Sequence, residues 1–133
     1  MVSPDAVVAL KAALASAARD SSTRARAVAA LRGAVLWVAT WPTDPTNLRT
    51  LTNSEGVTAL PLFSEERELH DASVRYAWLN VDGQAPRRTI ALWEAMRLAK
   101  QQKAQLLVVD IGTEHALELD EGDMELLSAP PSS

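Results

Sequence analysis

The run QLLVVDI at 105–111 constrains this chain more than any other stretch. A strand with one wet face alternates apolar and polar residues. This one has no polar face, and it reads as a central strand covered on both sides. Other elements must therefore lie on each of its faces. A chain of 133 residues is long enough to supply them as one domain with a real core.

Candidate partners are spread along the chain. AVLWVAT (34–40) is short, continuous and rich in β-branched and aromatic residues, which predicts a strand ended by PTDPTNL. Residues 48–52 and 57–63 flank NSEG and predict a hairpin, with Gly56 at the position needing positive φ. Pro61 lacks an N–H, so its strand is expected at an edge, bulged or ending. Ser64 is placed to cap a helix over 65–73, with Glu65 and Glu66 in the first turn and Phe63 packing back on Leu69 as a hydrophobic staple. YAWLNV (76–81) reads as a short strand and DGQAP as a turn. Pro86 opens a long helix over 87–103, with Leu92, Ala95, Met96 and Ala99 on one face. Gly112 turns the chain into an alternating edge strand, HALEL, and Asp120 caps a last short helix. The tail 128–133 has no core-forming residue and is expected to be disordered.

Residues 4–32 are alanine-rich and helical, interrupted at RDSST, where Ser21, Ser22 or Thr23 would cap the second piece and Gly33 stop it. Alanine buries little area per turn, so this pair is expected to dock weakly, as an appendage or against a partner. The resulting fold class is α/β (α+β): a mixed sheet of five to six strands flanked by helices over 34–127, with a helical N-terminal extension over 1–33.

The net charge of −4 is unevenly spread. Residues 1–33 balance at +3, and the rest at −7; 104–127 hold seven acids and no basic residue. Such a surface repels phosphate backbones, so no nucleic acid is expected as partner. There is no cysteine, which removes disulfides and thiolate chemistry. No signal peptide is visible and no apolar run approaches the roughly 18 residues of a membrane span, so the expected setting is cytoplasmic, without membrane contact.

Catalytic signals are weak. His70 and Asp71 are adjacent on a helix and point about 100° apart. Glu114-His115 with His70 lacks metal-ligand spacing, and the acids from Asp110 to Asp123 lack a calcium-loop pattern. No nucleophile-elbow, dinucleotide or phosphate-loop motif occurs. No cofactor, metal or catalytic residue is therefore expected. The alternative to a non-catalytic chain is a small-ligand pocket made by Arg87, Arg88, His70 and Glu114. The four tryptophans are many for this length, and tryptophan is enriched at binding hot spots. Trp37 and Trp93 lie in periodic segments and are assigned to the core. Trp41, beside Pro42 past a strand end, is the leading contact residue; Trp78, near Tyr76, and Phe63 at the Pro61–Ser64 joint complete the candidate partner site.

The order hairpin, Leu60-Pro61-Leu62-Phe63-Ser64, acidic helix, long helix, LLVVD strand and acidic helix ending in Leu-Leu resembles the SseB family N-terminal domain over Ala34 to Leu127. In that family the phenylalanine is followed by Thr or Ser and a helix start. Relatives carry Asn-Pro after the buried strand, where this chain has Asp110-Ile111. The family takes its name from a protein linked to enhanced serine sensitivity in enteric bacteria, and the name also occurs in connection with type III secretion. The resemblance implies a bacterial, non-catalytic protein-interaction or adaptor module with a protein partner and a possible homodimer. It carries no catalytic residues over.

Overall fold

A computed structural model describes residues 4–123. Four α-helices and seven strands follow one another as α1 (Pro4–Arg19), α2 (Arg24–Arg32), β1 (Val35–Trp41), β2 (Asp44–Leu48), β3 (Leu51–Thr52), β4 (Thr58–Leu62), α3 (Glu66–Arg75), β5 (Arg87–Ala91), α4 (Leu92–Gln101), β6 (Leu106–Val109) and β7 (Leu117–Leu119), with a 3-10 turn at Ser21–Thr23. The class is α+β as expected, but the strands form two sheets instead of one: β2-β1-β5 and β3-β4-β6-β7. They meet at one bridge, where Trp37 N donates to Phe63 O (2.8 Å) and Phe63 N to Trp37 O (2.9 Å).

The apolar run became β6, paired parallel to β4 and antiparallel to β7, with Leu107 and Val109 fully buried. β4 is therefore interior at Pro61, which lies opposite Val108. Thr58 and Leu62 turn their carbonyls toward Gln105 N and Asp110 N, both at 2.8 Å, while Phe63 turns its N–H the other way. Pro61 is in step with Phe63, so its missing N–H faces the side where the two-residue β3 has already ended.

Three local expectations are corrected. Residues 87–91 are not the start of a long helix. RRTIA pairs with β1 over five residues, Val35↔Ala91 to Ala39↔Arg87, because Ile90 can then enter the core and β1 gains a ladder; the helix begins only at Leu92. PTDPTNL does not merely end a strand but supplies β2, which folds back on β1. YAWLNV is not a strand. α3 runs to Arg75 and closes with Tyr76 N bonded to Ala72 O and Trp78 N to Ser73 O, a Schellman motif with Ala77 in the left-handed region (φ 59).

α4 ends the same way on Lys103 (φ 62), with Ala104 N bonded to Ala99 O at 2.8 Å. Glycine is the usual occupant of that position, because a Cβ is strained there. Lys103 is exposed, so Lys103→Gly is expected to raise stability by about 0.5–1 kcal/mol, the left-handed strain relieved less the added freedom of the unfolded chain. A urea melt compares the two proteins directly.

The N-terminal segment is helical as expected, yet it is not loosely docked. Leu10, Leu14, Ala27 and Leu31 belong to the same buried cluster as Leu36, Leu60, Met96 and Leu107. The cap between its helices comes from Asp20, whose carboxylate accepts from Ser22 N at 3.0 Å; Thr23 makes no side-chain cap. At the other end of the chain Asp120 and Asp123 cap one another reciprocally, Asp123 N to Asp120 Oδ1 at 2.9 Å and Asp120 N to Asp123 Oδ2 at 3.1 Å. Residues 121–123 are helical; the rest of the expected last helix and the tail lie outside the described residues.

Arg24 reaches across from α2 to Asp123 (2.7 Å), and its hydrogen bond holds that carboxyl below its ordinary value of 3.8. A carboxyl depressed in the folded state contributes stability above 3.8, and the contribution disappears as pH falls through the lowered value. Arg24 is more than a third exposed, so the pair is worth less than about 1 kcal/mol. Urea melts should therefore show wild type above Asp123→Asn at pH 7, with the gap narrowing as the pH falls below 3.8.

Candidate functional site

Two polar constellations stand out. One lies where β1 ends. The register shifts between Thr40 and Trp41, which pair with Leu48 and Asp44, and such a bulge re-aims the side chain that follows it. Trp41 comes out 43% exposed. Arg49, just past β2, lies over it, with its guanidinium carbon 4.0 Å from the Trp41 ring centroid and 5.9 Å from that of Trp78. Trp78 packs on Tyr76 (5.3 Å between centroids), and the Arg75 guanidinium lies 5.5 Å from the Tyr76 ring. The order Arg75, Tyr76, Trp78, Arg49, Trp41 thus runs cation, two stacked aromatics, cation, aromatic.

The backbone beneath this ladder is fixed. Arg49 N donates to Ala39 O at 2.9 Å. The Gln102 side-chain amide mimics a strand neighbour for Leu48, accepting from its N–H at 3.0 Å and donating to its carbonyl at 2.8 Å. Arg49 itself is poorly satisfied. Its Nε is shut from solvent without an acceptor, no carboxylate lies within 4 Å of it among the described residues, and burial pushes its pKa down. Stacking on tryptophan is worth about 0.5–2 kcal/mol. A buried donor without a partner costs about 1–3 kcal/mol. The ladder therefore does not stabilise the fold by a clear margin.

The expected contact residues divide. Trp41 is at the surface. Trp78 and Phe63 are 6% and 1% exposed, in the second apolar cluster with Leu69 and Ala72, and they support the surface from below without forming it. Trp37 and Trp93 are half-buried. Arg49 had one sequence signal that was missed: it is the sole basic residue between Arg32 and Arg67, flanked by Leu48 and Leu51.

The alternative pocket is half assembled. His70 and Arg87 share an open groove of about 510 Å³ with Glu66, Leu69 and Asp82. Arg87 is bound there to Glu66 at 2.8 Å. Arg88 takes the opposite face of β5, where it meets Glu94 at 3.3 Å, and Glu114 lies outside the groove.

The second constellation joins β4, α3 and the end of β6. Ser64 is fully buried and does not cap α3, whose N-cap is Glu65 without a side-chain bond. It donates instead to Asp110, from its N–H to Oδ1 (2.8 Å) and from its hydroxyl to Oδ2 (2.6 Å). His115 Nε2 lies 2.8 Å from the same Oδ2. The set contains Ser, His and Asp, but the carboxylate stands between the other two and the hydroxyl has no access to solvent, so it lacks the geometry of an activated nucleophile. Glu68, Asp110 and His115 also bring ligand atoms within 4.8 Å of one another. Those atoms already have protein partners: Asp110 as above, and Glu68 with Lys11 at 3.2 Å. Burial lowers the Lys11 pKa, but its bonds to Glu65 and Glu68 outweigh that and the net shift is upward. The cluster satisfies itself and acts as a joint between elements.

These observations define an α+β domain whose interior polar groups are mostly matched at home; among the described residues the two buried side-chain nitrogens without a partner are Nε of Arg88, on β5, and Nε of Arg49, at the surface aromatic ladder. The chain belongs to the SseB family: the family model described as SseB protein N-terminal domain matches residues 10–125. The match reaches back through both N-terminal helices, further than the resemblance from Ala34. No similar protein was found among curated proteins or solved structures. Among the described residues no helix is long and apolar enough to cross a membrane.

Proposed function

We propose that this domain is a non-catalytic protein-interaction or adaptor module that receives its partner at Trp41. The observation carrying the reading is Trp41 itself, 43% exposed and held over Arg49 on a fixed backbone. A rigid, half-exposed aromatic offers large contact area at little entropic cost, which is what interface anchors supply. A bacterial cytoplasmic setting belongs to the same proposal, and self-association through the edge strand β2 is its second partner mode. The small-ligand alternative is weaker because Arg87 is already tied to Glu66 and Arg88 faces away.

The test is affinity capture from a native lysate with three baits: wild type, Trp41→Ala, and Val74→Ala as an exposed apolar control on α3. A specific partner should be retained by wild type and Val74→Ala and reduced at least about tenfold by Trp41→Ala, the loss of a hot spot. Equal capture by all three baits rules the Trp41 surface out.

A further inference from the structure

We propose that the ladder Arg75–Tyr76–Trp78–Arg49–Trp41 is a docking strip for an acidic peptide segment, whose carboxylates bind Arg49 and Arg75 beside Trp41. This rests on the interaction reading and names the chemistry of the partner.

The argument begins with which cations are matched. Lys11 is paired with Glu65 and Glu68, Arg24 with Asp123, Arg87 with Glu66 and Arg88 with Glu94. Carboxylates are not scarce in a chain with 17 acids against 13 bases. Among the described residues none reaches Arg49 or Arg75 within 4 Å, nor seven of the other cations; Arg49 is set apart because it is partly buried with its guanidinium between the Trp41 and Trp78 rings, and Arg75 because it continues that row over Tyr76. Arg75 makes a single long bond to the Ile111 carbonyl, at 3.4 Å. Arg49 is partly stripped of water and keeps an orphan Nε.

A guanidinium stacked on an indole uses its face and leaves the N–H groups at its edge free, and that edge matches a carboxylate in a two-bond fork. The backbone of Arg49 is held in advance by Ala39 and by the Gln102 clamp on Leu48, so little ordering is left for the moment of binding. The exposed Trp41 and the half-buried Tyr76, with Trp78 as their buried support, suit the apolar parts of a peptide. Single-stranded nucleic acid also likes arginine–aromatic strips. The strip holds two cations, enough for two carboxylates of a peptide but not for the run of phosphates along a nucleic-acid strand.

The probe is a fluorescein-labelled decaglutamate peptide, read by anisotropy at low salt beside decaglutamine and a ten-nucleotide oligothymidine. Wild type should bind decaglutamate and not decaglutamine. Arg49→Gln should weaken that binding at least fivefold, Arg49→Lys should restore it only in part, and Arg75→Gln should weaken it. Arg97→Gln, remote on α4 beside Trp93, should leave it unchanged. In the untouched wild type, decaglutamate should shift the indole N–H resonances of Trp41 and Trp78 and leave Trp93 in place, a readout that needs no variant to fold.

Binding unaltered by Arg49→Gln, movement of Trp93 in place of Trp41, or tighter binding of the oligothymidine overturns the proposal. The lysate capture separates the two claims. If Trp41→Ala loses the partner while decaglutamate ignores Arg49, the interaction surface stands and its acidic ligand does not.

Discussion

A chain shortened to residues 34–133 should show no cooperative thermal transition. The missing helices carry Leu10, Leu14 and Leu31, at most 6% exposed in the full chain. Each buried leucine is worth about 1.5–3 kcal/mol. Together they match a large part of the roughly 5–15 kcal/mol by which a domain is usually stable. Their removal also bares the neighbours they cover, because α1 touches β7 and α2 touches α4. Calorimetry of the shortened chain decides the matter: a sharp endotherm near the full-length one means that the helices are dispensable. Single changes test the same point more gently. Leu14→Ala and Leu31→Ala should each cost about 2–5 kcal/mol in urea melts, the cavity left by a fully buried leucine. Loss of binding on truncation would therefore report unfolding before it reported a partner site.

Asp110→Ala should cost about 2–6 kcal/mol, because it leaves two buried donors unsatisfied at about 1–3 kcal/mol each. Asp110 is fully buried and accepts from Ser64 N, Ser64 Oγ and His115. Without it two buried Ser64 donors have no acceptor. Asp110→Asn should cost less, about 1–2 kcal/mol, since an amide oxygen still serves the Ser64 N–H and asparagine tolerates the left-handed backbone found here (φ 54). Denaturant midpoints of the two variants give the ordering. An alanine variant as stable as the asparagine one sinks the idea that the carboxylate is the hub of this joint.

The elements that were legible in sequence are those with a local cause. β6 announced itself by continuous hydrophobicity, Gly56 by the turn that needs it, and Asp120 by the acidic residues that follow. Trp41 was placed at the surface by the proline after it. The misreadings have nonlocal causes. RRTIA continues the helical spacing of α4 backwards behind Pro86, and only the free edge of β1 makes it a strand. Ser64 has all the local marks of a cap, but an aspartate 46 residues away takes its hydroxyl. The alanine-rich helices were undervalued because composition averages over a face, whereas docking depends on a few leucines. Arg49 escaped notice because its significance is an absence: no local pattern shows that a cation lacks an anion.

The parallel register of β4 and β6 has a consequence for how the protein is made. Ala59 to Leu62 must wait for Leu106 to Val109, which are synthesised later. While the ribosome is still adding residues beyond 100, the edge of β4 that β6 will cover is bare, and closing so long a loop is slow. The sheet is therefore completed only once β6 has been made, and until then the Leu60–Leu62 edge is the segment most in need of a chaperone.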